Sequence, residues 1–504
     1  MKKLLFCLSL LIFFGFTMMA QNYYSKNIDF EGQSDSGNNI HQKDDGFLIT
    51  GTSLCFDTLV ECFSILSTDE YGEIINFEKI SNFPLWAAAG TGTGNGGILM
   101  KNQDEIYIAG AIQIGTPQYD VFLIKTNGQG DTLWMKTYGS PGYDESTKAM
   151  VFSQDSSLIL FNAYALNPYK LFVWLLKVDL NGNVIWEKYF GESYKNAGYQ
   201  DMIKLDDEDI LFSYVTSEYN VPSNPYSMTV TKMDAQGNEK WTSRFSSFDG
   251  DISGTHSCIL ELDNGGYLVN FVREAFGASL TPPIFIWLDS MGNVTQQYDF
   301  PNTRVQIIND LIKTADGRIV GVGQVDLIDY GMGYAGWVFS FTQSGELLWQ
   351  RFLVDQRFLP EKLSWLSGVE EMDDGRLAAI GTIDTPADID AWLVVLDEMG
   401  CLEPGCTGEL QGYFSATESV DGPVPQLTIY PNPVSGEVVY LLGLDKFPQD
   451  GQAVLRIHDL TGRMVRSQSP STEVDISGLP PGLYFVSLID EEGARRGIGR
   501  FLRS

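Results

Sequence analysis

A repetitive all-β chain is predicted by three observations. One hairpin pattern recurs along the sequence, glycine and aromatic residues are abundant (51 Gly, 12% aromatic), and apolar residues alternate without helical periodicity. With 44% hydrophobic residues over 504 positions, the chain can bury more than one core.

The recurring pattern is clearest in VWLLKVDLNGNVIWEKYFG (173–191): an alternating strand, a tight Asp-x-x-Gly turn, and a second strand with Trp four residues after the glycine. Relatives lie at 63–80, 121–139, 228–246, 284–301, 337–354 and 391–406. Their turn glycines, Gly72, Gly130, Gly182, Gly237, Gly292, Gly345 and Gly400, are spaced 58, 52, 55, 55, 53 and 55 apart. Asp, Asn and Gly accept the positive φ of such a turn, and the Asp carboxylate accepts turn amides. The tryptophans (Trp134, Trp186, Trp241, Trp349) set a flat ring on one face of the outer strand, placed to pack on the next sheet.

A shorter pattern precedes each hairpin, an acidic or glycine turn feeding an apolar strand, as in DDGFLITG (44–51) and MDDGRLAAIG (372–381). A weaker strand lies upstream again (146–153, 305–314). Four strands in about 50 residues is the signature of a β-propeller blade. Seven repeats predict a seven-bladed propeller over 21–406. The seventh repeat runs from its third strand into CLEPGC (401–406), which lacks the Trp and carries Pro404. KNIDFEG (26–32) near the N-terminus resembles RFSSFDG (244–250), the end of an outer strand, so residues 22–30 are expected to complete the last blade.

Residues 407–424 have no periodicity and read as a linker. Beyond them, short strands with Pro and Gly turns (426–433, 437–444, 453–467, 474–490, 494–503) predict a small immunoglobulin-like sandwich over 425–504. At the other end, residues 1–20 place Lys2 and Lys3 before an apolar run and a small residue, Ala20. That is the pattern of a cleaved signal peptide, and no later stretch is apolar for long enough to span a bilayer. The exported chain enters a disulfide-permissive space. Cys55 and Cys62 flank one hairpin and Cys401 and Cys406 flank one small loop, so each pair is a candidate bridge. Cys258 is left as a buried apolar-like side chain. The scattered His41, His256 and His458, without a Cys-x-x-Cys pair, disfavour zinc.

Net charge is −32, of which residues 1–422 hold −31. An acidic body disfavours nucleic acid and anionic lipid as partners. The tail carries, in order, Tyr430, Pro431, Asn432 and Pro433 (YPNP); DLTGR with Gly462; and DISGLPPGLYFVSL with Gly478, Leu479, Gly482 and Tyr484, followed by a basic last strand. With these motifs it resembles the C-terminal sorting domain of type IX secretion cargo. The resemblance implies a Gram-negative envelope, export to the periplasm, passage across the outer membrane by the type IX machinery, and removal of the tail by a cut within 407–424, leaving the cargo attached to surface lipopolysaccharide or released.

No residue set declares chemistry. Gly92, Gly94 and Gly97 match a dinucleotide motif but precede a strand instead of opening a helix. The hairpins resemble those of quinoprotein propellers in the blade motif alone, and no Asp box of sialidase type is present. Asp206, Asp207, Glu208 and Asp209 are the densest acidic cluster and could contribute to calcium binding, but their spacing matches no known calcium loop, and a solvated loop between two strands is the better reading. No other cofactor is expected. Carboxylate pairs for glycan cleavage would have to come from different blades, which sequence spacing cannot select. Trp86, Tyr143, Tyr194, Tyr199 and Trp365 are candidate sugar-stacking or packing rings. The expectation is an exported propeller that binds a protein or glycan ligand, with a glycan-cleaving enzyme as the alternative.

Overall fold

The computed structural model describes residues 23–503 apart from inter-strand stretches, chiefly 81–96, 218–225, 275–282, 356–362, 414–427 and 443–453. The expected signal peptide lies outside the described residues. Those described form strands and turns throughout.

Seven antiparallel sheets, each with four strand positions, follow one another. They are numbered here sheet 1 (35–80), sheet 2 (98–138), sheet 3 (143–190), sheet 4 (196–246), sheet 5 (251–299), sheet 6 (306–355) and sheet 7 (364–396 with 24–28). A single parallel bridge, Leu171 to Asn196, ties sheet 3 to sheet 4. In sheet 5 the first position is divided between Asp251–Ile252 and Ile259–Glu261, both paired with Tyr267–Glu274.

The sheets pack face to face in cyclic order. Phe63 and Phe122 join sheets 1 and 2, Tyr107 and Trp174 sheets 2 and 3, Phe161 and Phe212 sheets 3 and 4. Val230 and Val269 join sheets 4 and 5, Phe285 and Phe339 sheets 5 and 6, Val338 and Trp392 sheets 6 and 7. Leu393 and Phe47 then join sheet 7 to sheet 1 and close the circle. First strands of neighbouring sheets lie against one another, so they converge on the axis. Each large side chain withdrawn from water in these seams is worth roughly 1.5–3 kcal/mol.

Closure follows the expectation for residues 22–30. Tyr24–Ile28 pairs antiparallel with Ile389–Leu396, from Tyr24 opposite Val395 to Ile28 opposite Ala391. The Trp392 indole donates to Ser25 Oγ at 2.7 Å, and Lys26 pairs with Glu73 of sheet 1 at 2.7 Å.

The chain leaving sheet 7 follows its prediction in one respect and differs in another. A disulfide joins Cys401 and Cys406, one of the two candidate bridges. Within the stretch read as linker, Leu410–Tyr413 forms a strand parallel to the outer strand of sheet 6, Leu347–Asp355, with Phe352 opposite Leu410 and Asp355 opposite Tyr413. The open edge of sheet 6 supplies the backbone partners, and four residues are too few to show a period. Cys55 lies outside the described residues; Cys62 sits in the third strand of sheet 1, opposite Ser53. Cys258 is a free, buried thiol.

The hairpin turns interlock neighbouring sheets. Asp179 Oδ1 accepts the amides of Asn181 and Asn183, both at 2.8 Å, and Asp234, Asp289 and Asp397 repeat the arrangement. Gly292 sits at φ +81°, and a Cβ there would stand 2.7 Å from the Trp241 ring of sheet 4. That indole donates to the Ser290 carbonyl at 3.1 Å, and Ser243 Oγ donates to the Gly292 carbonyl at 2.6 Å. Trp349 packs in the same way on Gly400. Sheet 5 lacks an outer-strand Trp, and Trp287 from its third strand substitutes, donating to the Gln343 carbonyl at 2.7 Å beside Gly345.

Residues 428–503 form a separate two-sheet sandwich. Thr428–Tyr430, Val438–Leu442 and Glu473–Asp475 make one sheet; Met464–Gln468, Val454–Asp459, Gly482–Ile489 and Arg495–Arg503 make the other. Val439, Leu441, Leu455, Val486 and Phe501 fill the space between.

The interlock makes a quantitative prediction. Gly292→Ala should destabilise the chain by roughly 1–3 kcal/mol, from strained backbone together with displacement of Trp241. Gly265→Ala, at φ +75° with nothing within 4 Å of a new Cβ, should lose the backbone part alone. Urea unfolding of both variants checks the difference.

Candidate functional site

Two places gather titratable groups. The first is the axis. The first strands of sheets 1, 3, 4, 6 and 7 each carry a bulge, at Asn38, Lys148, Gln200, Asn309 and Ser367. A bulge interrupts the ladder and re-aims side chains. Just beyond it, Asp201 accepts the amides of Met202 at 2.7 Å and of Ile259, in sheet 5, at 2.9 Å. Asp310 does the same with Leu311 at 2.9 Å and with Val369, in sheet 7, at 3.0 Å. Asn309 donates to the Leu366 carbonyl at 2.7 Å. These side chains staple one sheet to the next through the backbone. Burial pushes the Asp201 carboxyl up to about 6 and the Asp310 carboxyl up to about 7, against the pull of the amides. Burial also pulls the Lys148 ammonium down to about 8, and the charges of Asp201 and Asp310 oppose that fall.

The second place is the seam between sheets 2 and 3, apolar along most of its length but polar and aromatic at one end. In register, Glu145 stands opposite Tyr164, Tyr164 opposite Phe172, and Trp174 opposite Tyr189. Tyr143 and Tyr164 stack with centroids 4.3 Å apart, Tyr189 meets Tyr164 edge-on at 5.2 Å, and Trp174 lies parallel to Tyr189 at 6.3 Å. Glu145 is fully buried; its Oε1 accepts the Ser140 amide at 3.0 Å, while Oε2 has no partner. The Trp174 indole N–H is likewise buried without a partner. Burial raises the Glu145 carboxyl to about 7, against the Ser140 amide, and the charge of Asp120 from sheet 2 adds to the rise. Burial raises Asp120 as well, opposed by its hydrogen bond from Gln118. Sequence spacing could not select this pair of acids, because they come from adjacent sheets.

Other sequence candidates resolve plainly. Lys232 pairs with Asp207 at 2.6 Å and Asp209 at 3.2 Å, Lys240 with Asp209 at 2.5 Å, and Lys204 with Glu208 at 3.1 Å. Lysines thus neutralise three of the four acids in that cluster. Among the described residues no three His, Cys, Asp or Glu side chains are grouped to hold a metal, and no helix is long and apolar enough to cross a membrane. Tyr143 joins the aromatic end of the seam, and Trp365 lies in the first strand of sheet 7, half-buried. Trp86, Tyr194 and the Tyr199 side chain lie outside the described residues.

In the tail, Tyr430 is 63% exposed. Tyr484 is buried, stacks on Phe501 at 5.3 Å and donates to the Pro480 carbonyl at 2.7 Å. Leu479 is buried, and Gly478 turns the chain at φ +76°. Pro431, Asn432, Pro433 and Gly462 lie outside the described residues. A family model described as the secretion system C-terminal sorting domain matches residues 428–496. The tail is a sorting domain.

The sorting domain is an address for export out of the cell, to the surface or the surroundings, and its reader is the type IX machinery. Among curated proteins, none is significantly similar to this chain. Similar solved structures include PorZ, a surface component of the type IX secretion system of Porphyromonas gingivalis (13% identity, 93% of this chain and 81% of that one, TM-score 0.29). They also include the β-propeller domain of the trilobed protease of Pyrococcus furiosus (10%, 74% and 94%, 0.40) and an ulvan lyase of polysaccharide lyase family 25 (12%, 63% and 85%, 0.42). At these TM-scores the likenesses carry no functional weight, and the propeller assignment stands on the chain's own strand pairing and cyclic packing.

The axial carboxyls predict a pH dependence. A carboxyl whose pKa is raised on folding adds stability that is complete below its unfolded value, near 4, and lost as pH rises through its folded value. For Asp310 that window runs from about 4 to about 7. Wild-type stability should therefore decline across this range on account of Asp310, and Asp310→Asn should flatten the decline. Chemical denaturation at a series of pH values reads the slope.

Proposed function

We propose that this protein is an exported propeller acting as a binding module, secreted or held at the surface of a Gram-negative cell. In this reading a signal peptide takes the chain to the periplasm, the sorting domain takes it across the outer membrane, and the propeller works outside without a cofactor. The match of residues 428–496 to the sorting domain is the observation that supports export. Binding as the role is supported by polar departures from the repeated frame, among them one end of the seam between sheets 2 and 3, where rings and acids adjoin.

One observation favours a second reading. Asp120 and Glu145 come from adjacent sheets and both have raised pKa values, as a general acid in a glycan-cleaving enzyme requires. Retention of a polysaccharide without new chain ends would fit the binding module; release of reducing or unsaturated ends would fit the enzyme.

Export is tested by a chain ending at residue 424. In its native host the truncated chain should stay inside the outer membrane while the full chain reaches the cell surface or medium, read by fractionation and immunoblotting. Equal appearance of both outside the cell would remove the role assigned to the tail.

A further inference from the structure

We propose that the Cys401–Cys406 bridge and the strand Leu410–Tyr413 form a redox-set clasp. Oxidised, the clasp holds the exit of the propeller on the edge of sheet 6 and withholds it from proteases. Reduced, it lets the strand go. The proposal goes beyond the binding-module reading and takes from the export reading only an oxidising surrounding.

One end of the bridge is anchored. Cys401 is fully buried; its amide donates to Asp397 Oδ1 at 2.7 Å, and its carbonyl accepts the Asp397 amide at 2.9 Å. The Trp349 ring of sheet 6 packs on Gly400, and Leu402 packs on the apolar seam between sheets 6 and 7. The bridge brings Cys406 to this anchor, so the chain restarts towards sheet 6 from a fixed point.

The strand that follows is short. Four residues pair in parallel with sheet 6, from Leu410 opposite Phe352 to Tyr413 opposite Asp355. Ordering so few residues costs backbone entropy that their own hydrogen bonds barely offset. Seating therefore depends on the tether. With the bridge closed, residues 407–409 alone separate the anchor from the strand; with it open, residues 402–409 do. The shorter tether raises the local concentration of the strand at its edge.

The bridge is also built to open from one side. Arg351, buried on the outer strand of sheet 6, donates to Cys401 Sγ at 4.0 Å, its guanidinium 5.5 Å from the centre of the Trp349 ring. Cys401 is enclosed and Cys406 is half-buried, so an incoming thiolate attacks Cys406 Sγ. A new S–S bond forms there, the old one breaks, and its electron pair leaves on Cys401, where the guanidinium favours a thiolate. A second thiolate then displaces Cys406; the two cysteines take up two protons, and the reductant leaves as a disulfide. Closing is the reverse, with a disulfide oxidant taking two electrons and the cysteines releasing two protons.

The test is limited proteolysis of the full chain by a glutamate-specific protease, with the cuts mapped by mass spectrometry. In the oxidised chain the Glu409–Leu410 bond should be cut about tenfold more slowly than in Cys401→Ser/Cys406→Ser, which should keep a cooperative unfolding transition. If that variant does not fold, the wild type reduced with glutathione under native conditions gives the same comparison. Brief exposure to glutathione should leave its adduct on Cys406 and a free thiol on Cys401. A Glu409–Leu410 bond cut at one rate with and without the bridge, whether slow or fast, overturns the clasp. A bridge that glutathione leaves closed in the folded chain, or opens with its adduct on Cys401, overturns the switch. Each result is read on purified protein, so failure here leaves the export and binding readings standing.

Discussion

A ring of sheets depends on its last joint, and here that joint is made between the two ends of the propeller's chain. Tyr24–Ile28 occupies the outer position of sheet 7, with the buried Ser25–Trp392 hydrogen bond inside the pairing. The chain's own continuation could compete for that position, because residue 396 leads straight into another Asp-x-x-Gly turn. Instead, the Cys401–Cys406 bridge closes the loop and the strand Leu410–Tyr413 is spent on the edge of sheet 6. Closure thus couples three devices: an N-terminal strand, a redirected exit and a covered edge. Without it, the seam joining Leu393 to Phe47 would face water.

Within that frame the repeat serves packing, and function lies in departures from it. The Asp-Gly turn with its neighbouring Trp first suggests a site, yet its glycine clears space for the ring of the sheet before it, and its aspartate is saturated by turn amides. The aspartate is thereby committed to shaping its own turn. The seam between sheets 2 and 3 differs. At one end the repeat gives way to a buried Glu145 beside the stacked Tyr143 and Tyr164 rings, with one carboxylate oxygen left without a partner.

Much of this was legible in the sequence. Hairpin turns are local, so residues such as Asp179 and Gly182 declare themselves; the orphan strand near residue 26 was found by its likeness to 244–250; and the tail was readable from ordered motifs. The inner strands were faint because Lys148, Gln200 and Asn309 break the alternation where the bulges fall. The strand at 410–413 was missed because four residues pair by geometry alone. The seam site was missed for a further reason: Asp120 and Glu145 lie in different repeats, and nothing in either repeat marks one as the other's neighbour.

The claim on which the rest stands is that the N-terminal strand closes the ring. Native-state amide hydrogen exchange tests it directly. The account predicts that amides of 24–28 and of their partners 391–395 exchange as slowly as those of paired third and fourth strands elsewhere in the ring, such as 173–178 with 184–190. Fast exchange across 24–28, with the facing amides of 391–395 equally unprotected, would contradict it.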